Sequence, residues 1–122
     1  MKIQINDTLK LARISSELVE TIEPFTILID NIPFTVPAQF ISNGNSTPQM
    51  LWSVIPPLSG PYGEAGIVHD YIYSTQCKED ITRKEGDEIH FEIGRYRGAN
   101  LIKAKCIYRI LRMFGRSYWK KV

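Results

Sequence analysis

Apolar and polar residues follow two different spacings along the chain. In "FTILIDNIPFTVPAQFI", residues 25–41, β-branched and aromatic residues dominate, and Asp30-Asn31 interrupts them with turn-forming side chains. That pattern predicts a β-hairpin. Pro33 and Pro37 lack backbone donors, which places the second strand at a sheet edge. The preceding "LKLARISSELVE" fits either a further strand or a short helix. In "SNGNSTPQMLWSVIPP" the Asn-Gly-Asn run is a tight turn. Ser46 or Thr47 then caps a short helix with Pro48 in its first turn, and that helix ends by Pro56-Pro57.

From residue 60 the spacing is helical. A helix opens at Pro61 and runs to about Ser74, with Ala65, His69, Ile72 and Tyr73 along one face. Gly66 weakens it, or marks the close approach of another backbone. Thr82-Arg-Lys-Glu85 is a capping box, in which each end satisfies an orphan amide of the other. It predicts a second helix from Arg83 to about Tyr96. Gly98-Ala-Asn100 is a loop, and "LIKAKCIYRILRMFG" is a third helix. Its apolar stripe is Ala104, Ile107, Tyr108, Leu111 and Phe114; its basic stripe is Lys105, Arg109, Arg112 and Arg116. The expected fold is α+β: a small antiparallel hairpin followed by a helical body. Two of its helices, joined by a short loop, run antiparallel.

The chain has 122 residues, which size alone reads as a single domain, 1–122. Its apolar run lengths predict no membrane-spanning helix, and the N-terminus lacks the apolar core of a signal peptide. Cys77 and Cys106 are too few for a disulfide scaffold and match no metal motif; two free, partly buried thiols are expected. The net charge of +2 hides a division. Residues 1–92 carry 6 basic and 13 acidic side chains, and residues 93–122 carry 9 basic and none acidic. A basic end of this kind can meet nucleic acid, anionic lipid or an acidic protein, or neutralise its own fold. "MFGRSYWKKV" can lie on a bilayer with Tyr118 and Trp119 at headgroup level, or fold back on the body. Nucleic-acid binding by residues 95–121 is the weaker expectation; it predicts affinity that falls steeply with salt.

The candidate chemistry is in "GIVHDYIYS", residues 66–74. An imidazole can take a proton from water at neutral pH if a carboxylate fixes its other nitrogen. Adjacent helical residues point about 100° apart, so Asp70 is a poor partner for His69. Asp87, one turn into the second helix, is the better one. Tyr73, one turn from His69, completes a polar cluster that serves either catalysis or the joining of two helices. Asp70 is left to hold a cation or cap a loop. His90, one turn past Asp87, serves an intrahelical contact or the chemistry. The loop Asn43, Gly44, Asn45, Ser46 can bind an anion or metal through its backbone, or act as a turn and cap.

Three runs carry a resemblance: "IEPFTILIDNIPFTVPAQFISNGNSTPQMLW", "YGEAGIVHDYIY" and "ITRKEGDEIHFE". In order, over about residues 22–119, they resemble domain of unknown function family 1353, an uncharacterised family of tailed-phage and prophage genomes. Its pattern is a Val-Pro-Ala-Gly-Phe strand end, then a Thr-Asp-Gly-Ala-Ser-x-Pro loop and an alanine-rich His-Asp-x-x-Tyr helix. A Ser-x-x-Glu-Ala-Asp helix and a basic aromatic tail follow. Here the strand end is Val36-Pro37-Ala38-Gln39-Phe40, and Asn43 stands where the family has aspartate. If that aspartate binds a cation or orients the histidine, the site here is weaker for it. Gly86 replaces an alanine, which loosens the second helix by up to about 1 kcal/mol.

More distantly, His-Asp-x-x-Tyr with an aspartate on an antiparallel helix is similar to the core of phospholipase A2 enzymes, including those of parvovirus capsids. That resemblance implies water activation by His69, orientation by Asp87, support from Tyr73 and calcium at Asp70. The glycine-rich calcium loop of those enzymes has no counterpart in "NGNST" or "LSGPYGEAG". The implied function is a phage- or prophage-encoded hydrolase of lipid ester bonds at the cell envelope, with phospholipid or a membrane surface as partner. The alternative is a non-enzymatic virion component or an inhibitor of a host protein, binding other phage or host proteins. Either reading implies a location in the virion or the host cytoplasm.

Overall fold

The computed structural model describes residues 1–15, 18–42 and 60–120. The predicted turn and helix between residues 43 and 59, and with them Asn43, Gly44, Asn45 and Ser46, lie outside the described residues. The fold is α+β, in two compact units, Met1–Asn43 and Gly44–Val122.

The first unit holds two small antiparallel sheets. Strands β1 (Ile3–Gln4), β4 (Phe25–Ile29) and β5 (Ile32–Val36) form one, in the order β1-β4-β5. The predicted hairpin is β4–β5, with Ile29 opposite Ile32 and Phe25 opposite Val36. Its two-residue turn has φ of 51° at Asp30 and 67° at Asn31. Both values are left-handed, the form whose twist suits a tight hairpin, and Asn and Asp tolerate it best after glycine. Strand β5 is an edge, as Pro33 requires. The ambiguous segment is extended: β2 (Leu11–Arg13) pairs with β3 (Val19–Thr21), which pairs with β6 (Ile41–Ser42).

Alternation buries Phe25, Ile27, Phe34 and Val36. Thr21, also buried, donates from Oγ1 to the Pro37 carbonyl at 2.7 Å and accepts from the Phe40 amide at 2.9 Å. Between these two anchors Gln39 is held at φ 62°. That is a left-handed conformation at the position where the resembled strand end has glycine.

In the second unit a 3-10 turn, Gly60–Tyr62, leads into α1 (Gly63–Tyr73), followed by α2 (Arg83–Tyr96) and α3 (Leu101–Phe114). A second 3-10 turn, Gly115–Tyr118, closes the chain. The Thr82 capping box forms in both directions, at 3.1 Å and 2.9 Å. Asn100 caps α3 by accepting from the Lys103 amide. Helix α1 is buried on most sides (Ala65, Ile67, Val68, His69, Tyr71, Ile72 and Tyr73), more than the single predicted face.

Two glycines of α2 give the helix pairing its direction. A Cβ on Gly94 would stand 2.8 Å from Cε1 of Tyr62, and one on Gly86 would stand 2.9 Å from Cγ2 of Ile72. The end of α2 therefore meets the start of α1, and its start meets the end of α1. The helices are antiparallel, as expected, and close. The close-approach glycine is Gly86, not Gly66, where no described atom lies within 4 Å of an added Cβ. Helix α3 returns along α2, burying Ala104, Ile107 and Leu111. Tyr108 is only half-buried and Phe114 is 44% exposed, so the apolar stripe is narrower than predicted. Among the described residues, no helix is long and apolar enough to cross a membrane.

Candidate functional site

His69 and Tyr73 are one turn apart on α1, so their side chains leave the same face. Asp87 enters from the facing side of α2, in the register that Gly86 permits. Nε2 of His69 lies 2.8 Å from Oδ1 of Asp87, and the Tyr73 hydroxyl donates to the same oxygen at 2.6 Å. His69 and Asp87 are both 0% exposed. The His69 and Tyr73 rings stack obliquely, with centroids 4.2 Å apart.

The other carboxylate oxygen belongs to two arginines. Nη1 of Arg112 donates to Oδ2 at 2.8 Å, and Nη1 of Arg83, one turn before Asp87, lies 3.6 Å from it. Burial works to raise the Asp87 carboxyl. The hydrogen bond and charge of His69, then the bonds from Tyr73 and Arg112, outweigh it and hold the group below its ordinary value. Asp87 is therefore a carboxylate, which only accepts. Nε2 of His69 must carry a proton toward it, and a neutral imidazole then has its lone pair on Nδ1. Burial, reinforced by the bond to Asp87, pushes the Tyr73 hydroxyl up and keeps it a donor.

Arg83 does more than neutralise. Its guanidinium donates to the carbonyls of Leu111 and Arg112 at 3.1 Å each, the last turn of α3, and to the Tyr73 hydroxyl at 3.3 Å. One side chain thus closes the C-terminal end of α3 against the site. Gly115 leaves the space, since a Cβ there would stand 2.7 Å from the Tyr73 oxygen. The C-terminal tail folds back rather than projecting. Trp119 sets its ring edge-on to Tyr73 at 5.1 Å. Nζ of Lys120 donates to the carbonyls of Ile72, Ser74 and Cys77.

His90 flanks the dyad without joining its hydrogen bonds. Its ring meets His69 edge-on at 5.2 Å and stacks on Tyr62 at 5.7 Å. Among the described residues, its buried Nδ1 has no hydrogen-bond partner, and neither does the Tyr62 hydroxyl. Burial, followed by the nearby His69, pushes its pKa down to about 3.

The expected trio of His69, Tyr73 and Asp87 is therefore one cluster. Asp70 is half-buried and not among the groups that bind Asp87. Asn43, Gly44 and Ser46 fall outside the described residues. Cys77 is buried and donates to Glu79, but Cys106 is exposed, not partly buried, because it lies on the outer side of α3. Arg83 and Arg112 were missed as site residues. Arg83 had a signal, its spacing four before Asp87 on one helix. Arg112 falls on the basic stripe of α3, and only the packing of α3 on α2 brings it to Asp87.

No curated protein and no solved structure matches the chain. The family described as "Protein of unknown function (DUF1353)" matches residues 21–111, a span that runs from the last residue of β3 through most of α3 and holds His69, Tyr73, Arg83 and Asp87, and the chain belongs to that family.

Proposed function

We propose that this is a phage- or prophage-encoded hydrolase of ester bonds, with phospholipid at the cell envelope as its substrate. The reading rests on one observation: Asp87 holds Nε2 of a histidine on an antiparallel helix, while a tyrosine one turn on donates to the same carboxylate oxygen. It is the arrangement that the resemblance to phospholipase A2 enzymes implies. In it, Nδ1 of His69 takes a proton from water as the water oxygen attacks the ester carbonyl carbon. The tetrahedral intermediate collapses, the carbon–oxygen bond to the alcohol breaks, and the imidazolium returns its proton to the leaving alkoxide. Asp87 orients the ring and balances the transient charge. Tyr73 and Arg112 keep Asp87 ionised and fixed.

Calcium at Asp70 belongs to the same likeness. A calcium ion takes about six to eight oxygen ligands. Asp70 would supply one carboxylate; among the described residues no group of three or more acidic, histidine or cysteine side chains gathers. No step here runs through it.

The test is fatty-acid release from mixed phospholipid vesicles by the purified chain, with calcium or with chelator. Release that disappears in His69→Gln supports the reading; absence of any His69-dependent release sinks it.

A second reading has its own observation. His69 and Asp87 are wholly buried, and two arginines share the carboxylate. A cluster so enclosed can serve to clamp three helices in a non-enzymatic virion component or an inhibitor of a host protein. On that reading His69→Ala costs several kcal/mol of folding stability. On the hydrolase reading, stability changes little and release is lost.

A further inference from the structure

We propose that the outward face of α3 is an anionic-membrane docking surface, on which the chain sits with the helix parallel to the lipid plane. The helix has two distinct sides. Ala104, Ile107 and Leu111 are buried. On the opposite side Ile102, Cys106, Arg109 and Met113 follow one another at spacings of four, three and four residues, one continuous line on a helix. Ile102 is 74% exposed and Met113 71%, the two highest exposures among the large apolar side chains of the described residues. They stand about 16 Å apart along the axis. Arg109 on that line and Lys105 and Arg116 beside it are all exposed. Residues 93–122 carry no acidic side chain, so no charge of the same segment offsets them.

That charge selects the occupant. A second copy presenting the same face would set cations against cations. An acidic protein would be gripped through clustered aromatic or arginine anchors in pockets. This face instead offers isolated, flexible apolar side chains spaced along a line among long cations. Such a line suits a planar boundary: Ile102 and Met113 enter the acyl edge while lysine and arginine heads stay among lipid phosphates. Tyr118 and Trp119 are both half-buried, and Trp119 is committed to Tyr73, so α3 and not the tail offers the surface. Arg112 is likewise committed to Asp87.

As the place where a lipid hydrolase meets its substrate, this surface rests on the function proposed above, but its test does not use hydrolysis. The full chain is floated with vesicles of ether-linked phosphatidylcholine, with or without ether-linked phosphatidylglycerol; neither lipid has an ester bond to cut. Binding is expected only with the anionic lipid and should weaken with added salt. Lys105→Gln/Arg109→Gln should bind roughly 25-fold more weakly, at about fivefold per cation. Ile102→Ser/Met113→Ser should lose most of the remaining retention. All four positions are exposed, so these variants keep the fold.

Equal binding to neutral vesicles, or unchanged binding by the double charge variant, overturns the proposal. So does binding to polyglutamate or duplex DNA with none to vesicles, which moves the face to an acidic protein or to nucleic acid. Fatty-acid release from ester lipids is read separately. Vesicle binding without release removes the hydrolase and leaves this surface; release without vesicle binding does the reverse.

Discussion

The fully buried His90 ties the stability of the fold to pH. In the folded chain its pKa is pushed down to about 3, first by burial and then by His69, against an ordinary 6.5. The unfolded chain therefore binds a proton that the folded chain refuses at every pH between those values. By linkage, stability rises with pH across that window and falls on acidification. At pH 7 the effect is small. At pH 5 the unfolded His90 is almost fully protonated, which lowers stability by about 2 kcal/mol relative to pH 7, from the 6.5 reference alone. His90→Leu removes the titrating group and the unpartnered Nδ1 while filling a similar volume. Urea unfolding of both proteins at pH 5, 6 and 7 reads the difference between their profiles. In that difference the groups common to both proteins largely cancel, and Asp87, held below its ordinary 3.8, has not begun to protonate. The wild type should lose about 2 kcal/mol more than His90→Leu on going from pH 7 to pH 5. Parallel profiles would show that His90 protonates within the folded chain and carries no such linkage to stability.

Other substitutions probe the packing around it. Asp87→Asn removes the charge that two buried-side guanidiniums face and should cost about 3–5 kcal/mol in urea unfolding. Gly86→Ala gains helix propensity of about 1 kcal/mol but drives a Cβ into the fully buried Ile72, so thermal unfolding should show a net loss. Gln39→Gly, at an exposed left-handed position, should raise stability by about 0.5–1 kcal/mol, read from the denaturation midpoint. Lys120→Met leaves the carbonyls of Ile72, Ser74 and Cys77 without that donor. Hydrogen exchange should then speed up at the end of α1 and little elsewhere.

The parts of this fold that were legible in the sequence are those set by neighbours along the chain. The hairpin follows from alternation around Asp30-Asn31, and α2 begins where the Thr82 box says. The His69–Asp87 pairing followed from two local facts: adjacent helical residues diverge, and a short loop makes helices antiparallel. What the sequence concealed depends on residues far apart. Segments 11–13 and 19–21 are strands only because they pair, since three residues are too few to show a period. Gly86 reads as a weak helix position until Ile72 is set against it. Arg112 looks like one more cation on a solvated stripe, and its role is decided by which side of α3 reaches α2.

Arg112 also bears on what the cluster can do. In a His–Asp pair alone, the carboxylate depends on the imidazole for its orientation as much as the reverse. Here Oδ2 is held by Arg112 and neighboured by Arg83, while Tyr73 shares Oδ1, so three groups from three helices fix the carboxylate before His69 is counted. Removing Asp87 takes an acceptor from His69, Arg112 and the Tyr73 hydroxyl at once; replacing His69 takes one donor from an oxygen that Tyr73 also serves. If the cluster clamps the helices through the His69–Asp87 bond, even a shape-preserving replacement such as His69→Phe should cost folding stability. A hydrolase needs that side chain above all. The two predictions separate in one variant: near-normal unfolding of His69→Phe with complete loss of ester cleavage fits catalysis, and a collapse of stability fits the clamp.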